Sequence, residues 1–366
     1  MSSKKDKSKK LDKYFMSIAM NLAANRIGLT GLNPSVGCLI VKNNKILSFG
    51  QTGFNGRPHA ETVAIRKCKK NELIGSSIYI TMEPCTHYGK TPPCTNQIIK
   101  SKIKRVIYSI NDVDIRTSNR ANSVLKLKKI KVTKGILKLE GMKLYKNYLN
   151  HKKKNKPFVV AKIACSSDYY TTSKNKLITN IHSRNVSHYL RYKFDSILVS
   201  SKTINADNSK LTCRLSGLEN HSPKRLIIDR NLKINRNSHV INDNNKKNTI
   251  IFHSSKDKEK IKYFALKGIK LIYTDLDIDN NINLNKVFSK VYNIGIGSII
   301  IEGGKILTKS VLRDKLINEF YLFKSKKKLG NSGKNNISDL KNKFKFLMKR
   351  EKIETFLDGD KITRYH

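Results

Sequence analysis

The chain has 366 residues, which at about 150 residues per domain predicts two domains, each long enough to bury a core. Its 74 Lys and Arg against 27 Asp and Glu give a formal charge of +47, a field that attracts RNA, membrane surfaces and phosphorylated small molecules alike. The lysines run the whole length, interleaved with Asn and Ile, so no dedicated nucleic-acid face is expected; no run of 18 apolar residues exists, so no membrane span is expected either.

Residues 1–10 are rich in Lys and Ser and lack an apolar stretch, which predicts a basic disordered tail and no secretory signal. Over 14–27, Phe15, Ile18, Ala19, Leu22 and Ala23 recur on one helical face. Asn33-Pro34 breaks the chain. Val36–Val41 reads as a strand, Asn43-Asn44 as a turn and Lys45–Phe49 as the hairpin partner. A helix is expected from His59 to about Lys69, a strand over Ser77–Met82, a helix over 95–102 and a strand over Arg105–Ile110. This alternation predicts a three-layer α/β domain over 11–150, and Lys152–Lys156 reads as a linker.

The remainder, 151–366, starts again with a strand at Phe158–Ala164. A helix over His182–Lys193 and strands at Ser196–Ser200, Arg225–Asp229 and Thr249–Phe252 follow, with a polar loop over 230–248. Then come helix 257–267, strand 269–273 and helix 284–293. An apolar strand ends in Glu302-Gly303-Gly304 before a helix over 305–314; backbone N–H groups at such a helix start suit a phosphate, although tight-turn glycines without a ligand explain the residues equally well.

His59-Ala60-Glu61, Glu83-Pro84-Cys85 and Cys94 carry the chemistry of the first half. One imidazole and two thiolates supply three zinc ligands and leave a fourth position open, as catalytic zinc requires. Zinc lowers the pKa of bound water to about 7. Glu61, two residues from His59, is placed to move protons rather than to ligate. This is the pattern of zinc-dependent nucleobase deaminases. The other four of the six cysteines, Cys38, Cys68, Cys165 and Cys213, show no paired spacing and are expected as buried free thiols in a reducing cytoplasm.

Eight residues, Thr-His-Tyr-Gly-Lys-Thr-Pro-Pro, separate Cys85 from Cys94, where cytidine deaminases have a short Cys-x-x-Cys. The loop resembles the bifunctional riboflavin-biosynthesis deaminase/reductase family, as do Asn33-Pro-Ser-Val-Gly37, Pro58-His-Ala-Glu61 and the Asp112/Asp114 segment. In the second half, Lys162-Ile-Ala-Cys-Ser-Ser-Asp168, Leu190-Arg191, Thr203-Ile-Asn-Ala-Asp207, Leu211-Thr-Cys-Arg214 and Glu302-Gly-Gly304 are similar to that family in order.

The resemblance implies a cytidine-deaminase-like α/β/α domain followed by a dihydrofolate-reductase-like α/β domain. Its implied activity is zinc-dependent deamination of 2,5-diamino-6-ribosylaminopyrimidinone 5′-phosphate, then NADPH-dependent reduction of ribosyl to ribityl. It implies zinc on His59, Cys85 and Cys94, with Glu61 catalytic. Substrate contacts are implied for Asn33 and Asp112 in the deaminase, and for Arg191, Leu211, Arg214 and Glu302 in the reductase. Ala164, Leu177, Thr203, Asp207, Gly303 and Gly304 are implied along NADPH. The implied partner is a phosphorylated pyrimidine, with neither specific nucleic acid nor membrane; the chain is expected in the cytoplasm, as a monomer or a homo-oligomer.

His87 is expected either to bond in the deaminase pocket or to structure its loop. Several residues depart from the family pattern: Thr52 for His, Val113 and Ile115 for prolines, Asn119, Ala121 and Tyr169 for glycines, Leu177 for Trp, and Asn208-Ser209 for Asp-Pro. They leave open a deaminase whose reductase has lost activity. The charge leaves open an RNA-binding deaminase.

Overall fold

The structure, a computed structural model, describes residues 4–173, 177–340, 343 and 349–366. It divides into two units, Met1–Asn155 and Lys156–His366.

The first unit holds a five-stranded sheet; in its three central strands alternate residues face opposite ways, and both faces are apolar. The strands are β1 (Gly37–Lys42), β2 (Lys45–Gln51), β3 (Ser77–Met82), β4 (Arg105–Ile110) and β5 (Lys131–Lys134), in the order β2-β1-β3-β4-β5. β1 pairs antiparallel with β2 and β3, while β3, β4 and β5 are parallel. Cys38, Ile40, Ile78, Ile80, Val106 and Tyr108 meet Ala60, Ala64, Ile98 and Leu125 of three helices. Leu39, Val41, Tyr79 and Ile107 meet Phe15, Met16, Ala19 and Met20 of the helix Lys4–Arg26 on the opposite face. A sheet covered on both sides needs near-continuous apolar strands, which is what these runs are.

One buried ion pair fastens that helix. Asp12 accepts two bonds from Arg105, at 2.9 and 2.6 Å, and the Tyr79 hydroxyl at 2.8 Å. Removing one member of such a pair costs roughly 3–5 kcal/mol, because the other charge stays behind.

The second unit adds β6 (Phe158–Cys165), β7 (Tyr170–Ser173), β8 (Ser196–Ser200), β9 (Lys224–Ile228), β10 (Thr249–His253), β11 (Lys270–Tyr273), β12 (Ser298–Ile301), β13 (Glu319–Lys324), β14 (Gly333–Asn336), β15 (Arg350–Lys352) and β16 (Lys361–Tyr365). The sheet order is β11-β10-β9-β8-β12-β6-β13-β16-β15, with β7 and β14 forming a separate ribbon. Neighbours from β11 to β13 are parallel; β16 and β15 run antiparallel. The C-terminal ends of β8, β12 and β6 therefore lie side by side, where open α/β sheets bind ligands. Val159, Ala161, Leu198, Ile299 and Ile301 fill one core, and Ile197, Val199, Ile227 and Ile300 the other.

The sequence expectations need four corrections. Lys4–Lys10 is not a disordered tail but the first turns of the helix Lys4–Arg26, with Asp6 in its first turn; lysine is a good helix former, and the apolar face further on anchors the element. Lys152–Lys154 ends the helix Lys146–Lys154 rather than opening a linker, and the chain breaks at Asn155, whose φ is 52°. The polar stretch 230–248 contains the short helix His239–Asn242, which buries Val240 and Ile241. Finally, the C-terminal strands β15 and β16 extend the sheet beyond the last element expected.

Candidate active sites

His59 is extended, with φ −66° and ψ 152°, and immediately precedes the helix Ala60–Arg66. Cys94 opens the helix Cys94–Lys100, and Cys85 follows the end of β3. His59 Nδ1 is 3.2 Å from Cys94 Sγ and 3.7 Å from Cys85 Sγ, and all three ligand atoms lie within 4.8 Å of one another. Ligands at 2.0–2.3 Å from a tetrahedral zinc are separated by about 3.5 Å, so this set fits the ion. Among the described residues no carboxylate joins the group, which leaves a coordination position for water.

Cys94, with His59 and against the cost of burial, holds the Cys85 thiol down to about 4. The Cys94 backbone N–H adds a bond to Cys85 Sγ at 3.2 Å. Cys85 is thus the thiolate of the pair before any metal arrives. Glu61 is buried beside it, 4% exposed. Burial pushes its carboxyl above the usual range, with His59 pulling the other way. A carboxylate that binds a proton more readily than usual suits proton transfer.

The motif alone assigns Glu83 no role; the structure gives it one. Its carboxylate accepts the backbone N–H groups of Asp112, Asn119 and Ala121 at 3.3, 3.0 and 3.1 Å. It thereby shapes the segment that follows β4. Asp112, buried enough for its carboxyl to be pushed up, accepts the Asp114 N–H at 3.1 Å and the Tyr148 hydroxyl at 3.0 Å. His87 pairs with Thr117 at 2.9 Å, tying the Cys85–Cys94 loop to this same segment, so the loop-structuring alternative has a contact behind it. Thr52 receives the Val36 N–H at 2.8 Å and is 2% exposed. Asn33 lies against Gly56, where φ is +86° and a Cβ would fall 2.1 Å from the Asn33 amide nitrogen.

In the second unit, Arg191 comes from the helix Ile181–Lys193 and Glu302 from the end of β12. Arg191 Nε and Nη2 donate to the two Glu302 oxygens at 2.7 and 3.0 Å, and Nη1 donates to the Thr212 carbonyl at 3.1 Å. Lys162 Nζ, from β6, stands 3.7 Å from Glu302. Burial pushes the Glu302 carboxyl up, but Arg191 and Lys162 outweigh it and hold it at about 2. Arg214 is exposed and makes no hydrogen bond or ion pair with the described residues. Of the two arginines implied at the reductase substrate, Arg191 is thus committed to Glu302 and Arg214 is available. Leu211 has φ 57° and packs its side chain with Ile204 and Ile227, which leaves only its backbone to meet a ligand.

Residues 157–360 match the family model of the RibD C-terminal domain, and residues 9–110 match the cytidine and deoxycytidylate deaminase zinc-binding region. The riboflavin biosynthesis protein RibD of Aquifex aeolicus is 31% identical over 88% of this chain and 89% of its own. The chain belongs to the RibD family. RibD of Buchnera aphidicola is 34% identical over 92% of this chain and 94% of its own. Acinetobacter baumannii RibD superimposes with a TM-score of 0.82 at 25% identity, covering 98% of this chain and 99% of that one. A Thermotoga maritima diaminohydroxyphosphoribosylaminopyrimidine deaminase/5-amino-6-(5-phosphoribosylamino)uracil reductase gives 0.80 at 27% identity, with the same coverage of 98% and 99%.

Zinc in the deaminase domain and NADPH in the reductase domain are the cofactors of this RibD architecture. The residues present fit the second cofactor as well as the first. Gly304 begins the nine-residue helix Lys305–Arg313 with no side-chain cap, and a Cβ there would meet nothing within 4 Å. An uncapped helix start with open space above it suits a pyrophosphate. Thr203 and Asp207 lie on the helix Ser201–Asp207, which follows β8 directly, and Ala164 lies near the end of β6. The Ser200 hydroxyl already takes the Thr203 N–H, at 3.4 Å. Leu177 is 63% exposed, and its carbonyl accepts a bond from Lys327 at 3.3 Å.

Proposed function

We propose that one chain performs two successive steps on a phosphorylated pyrimidine. The deaminase domain, about residues 11–150, removes an amino group from 2,5-diamino-6-ribosylaminopyrimidinone 5′-phosphate. The reductase domain, 151–366, then converts the ribosyl group to ribityl. The observation that carries the first step is the close set of His59, Cys85 and Cys94 with Glu61 buried beside it. The division at Asn155 supports the domain boundary. Free cysteines throughout the described residues support a reducing cytoplasm.

Zinc, when bound, supplies a Lewis acid that makes water nucleophilic near neutral pH. Glu61 takes a proton from the attacking water and gives it to the departing amine, which then leaves as ammonia. Glu83 keeps the 112–121 wall in place, and Asp112 and Asn33 orient the pyrimidine edge. NADPH, when bound, supplies the hydride for the second step. Gly303, Gly304 and the helix behind them hold its pyrophosphate, with Thr203 and Asp207 alongside. Arg214 meets the substrate phosphate, while Glu302, fixed by Arg191 and Lys162, accepts bonds from the sugar hydroxyls.

Incubation of the purified chain with the diamino substrate and no NADPH tests this reading. The deaminated ribosyl intermediate should accumulate and then vanish on adding NADPH. Recovery of unaltered substrate would contradict the reading.

A further inference from the structure

The helix Lys146–Lys154 grips the segment after β4 at two points. Tyr148 and Lys152 stand four residues apart on it and so share a face. The Tyr148 hydroxyl donates to Asp112 Oδ1 at 3.0 Å, and Lys152 Nζ lies 3.8 Å from Asp114 Oδ2. The Tyr148 ring packs with Met82, Ile110 and Tyr145, so the core of the domain carries the hydroxyl. The Asp114 N–H donates to the same Asp112 oxygen, at 3.1 Å. Two donors thus fall on Oδ1. Oδ2 takes no hydrogen bond from the described residues and is not enclosed.

That open oxygen stands at the edge of the sheet that carries the zinc ligands. β3 and β4 are parallel, with Met82 beside Ile110, so the runs to Cys85 and to Asp112 leave neighbouring strands in one direction. Glu83 joins the two exits by accepting the Asp112 N–H at 3.3 Å. An ionised carboxylate oxygen only accepts, so what it can meet on a pyrimidine edge is an N–H group. Burial pushes the Asp112 carboxyl up, and the bonds from Asp114 and Tyr148 pull it back towards the ionised acceptor.

We propose that Tyr148 is a positioning residue for deamination: by holding Asp112 Oδ1 it aims Oδ2 at an N–H group of the pyrimidine. The proposal rests on the deaminase reading above. A fixed acceptor orients the ring without taking part in the chemistry, so its loss weakens substrate and transition state alike.

Steady-state ammonia release by the zinc-loaded full chain tests this, with wild type, Tyr148→Phe, Asp112→Ala and the double variant compared. Phe keeps the ring and loses only the hydroxyl. Tyr148→Phe should raise KM for the diamino substrate about tenfold, as suits a lost bond to a charged group, with kcat within about twofold. Its zinc content should match the wild type. In Asp112→Ala the hydroxyl has no carboxylate to hold, so adding Tyr148→Phe should change kcat/KM by less than about twofold. Equal losses in the two backgrounds would mean a general loosening of the domain and overturn the proposal. An unmoved KM in Tyr148→Phe, a fall in kcat alone or a loss of zinc would overturn it too. Should Asp112→Ala release no measurable ammonia, the KM of Tyr148→Phe decides. No ammonia from the wild type would refute the deaminase reading and the proposal with it, whereas ammonia from the wild type with an unmoved KM in Tyr148→Phe would refute the proposal alone.

Discussion

Arg191 and Glu302 meet through two bonds, Nε to Oε1 at 2.7 Å and Nη2 to Oε2 at 3.0 Å, although 111 residues separate them. The pair joins the helix Ile181–Lys193 to the C-terminal end of β12, and Lys162 adds a third charge from β6. Three elements of the reductase domain therefore hold one another through a single carboxylate.

Glu302→Gln should leave Arg191 and Lys162 without their counter-charge. The expected cost is roughly 3–5 kcal/mol of stability in the reductase domain. The same residue predicts an acid response. The folded carboxyl sits at about 2, held there by Arg191 and Lys162 against burial, below the unfolded value of about 4.3. Its stabilisation is complete above pH of about 4.3 and is lost as pH falls towards 2. Thermal melts across this window should fall more steeply for the wild type than for Glu302→Gln. Parallel curves would show that the pair does not carry the effect.

The metal site predicts about one zinc per chain. Cys85→Ser and Cys94→Ser should each lose the metal and ammonia release together. Elemental analysis of freshly purified protein checks this; activity that survives chelation would contradict it.

Glu61→Gln separates the ion from the proton carrier. It should retain zinc, since Glu61 lies outside the ligand group. Deamination should drop by at least ~100-fold, the lower end for a general acid–base group. Loss of zinc from this variant would instead make Glu61 a support for the ligands.

Much of the fold was legible because its signals are local. Short apolar runs between turn residues give Ser77–Met82, Arg105–Ile110 and Ser196–Ser200 with the bounds the structure shows. The zinc set was legible because three donors of two rare types, one His and two Cys, stand within the H-A-E and E-P-C motifs and at Cys94. β15 and β16 were not: Arg350–Lys352 is fully exposed and its residues are charged, so no apolar pattern marks it as a strand. The helix Lys146–Lys154 was hidden for a related reason, since its lysines suit a linker as well as a helix. Nor could spacing reveal that Arg191 pairs with Glu302, or that Glu83 holds the 112–121 segment; both depend on which strands become neighbours.

Tyr169 is a position where only the family resemblance raised an expectation. Its φ is 69°, a left-handed conformation that costs a residue with a Cβ about 1 kcal/mol or more. The ring offsets part of this, since it packs on the core and lies 4.1 Å beneath Lys324 Nζ. Tyr169→Ala loses the ring and keeps the strain, whereas Tyr169→Gly loses both. The Gly variant should therefore be more stable than the Ala variant by about 1 kcal/mol. Denaturant titration measures the difference, and equal stabilities would mean that the backbone bears no strain there.

The central claim is that one chain carries two working active sites, and the ratio of NADPH oxidised to ammonia released measures it directly. With the diamino substrate, saturating NADPH and a single preparation of the wild type, the ratio should reach one at completion. Ammonia released in full with no NADPH consumed, even at millimolar cofactor, would contradict the account and leave a deaminase with an inactive second domain.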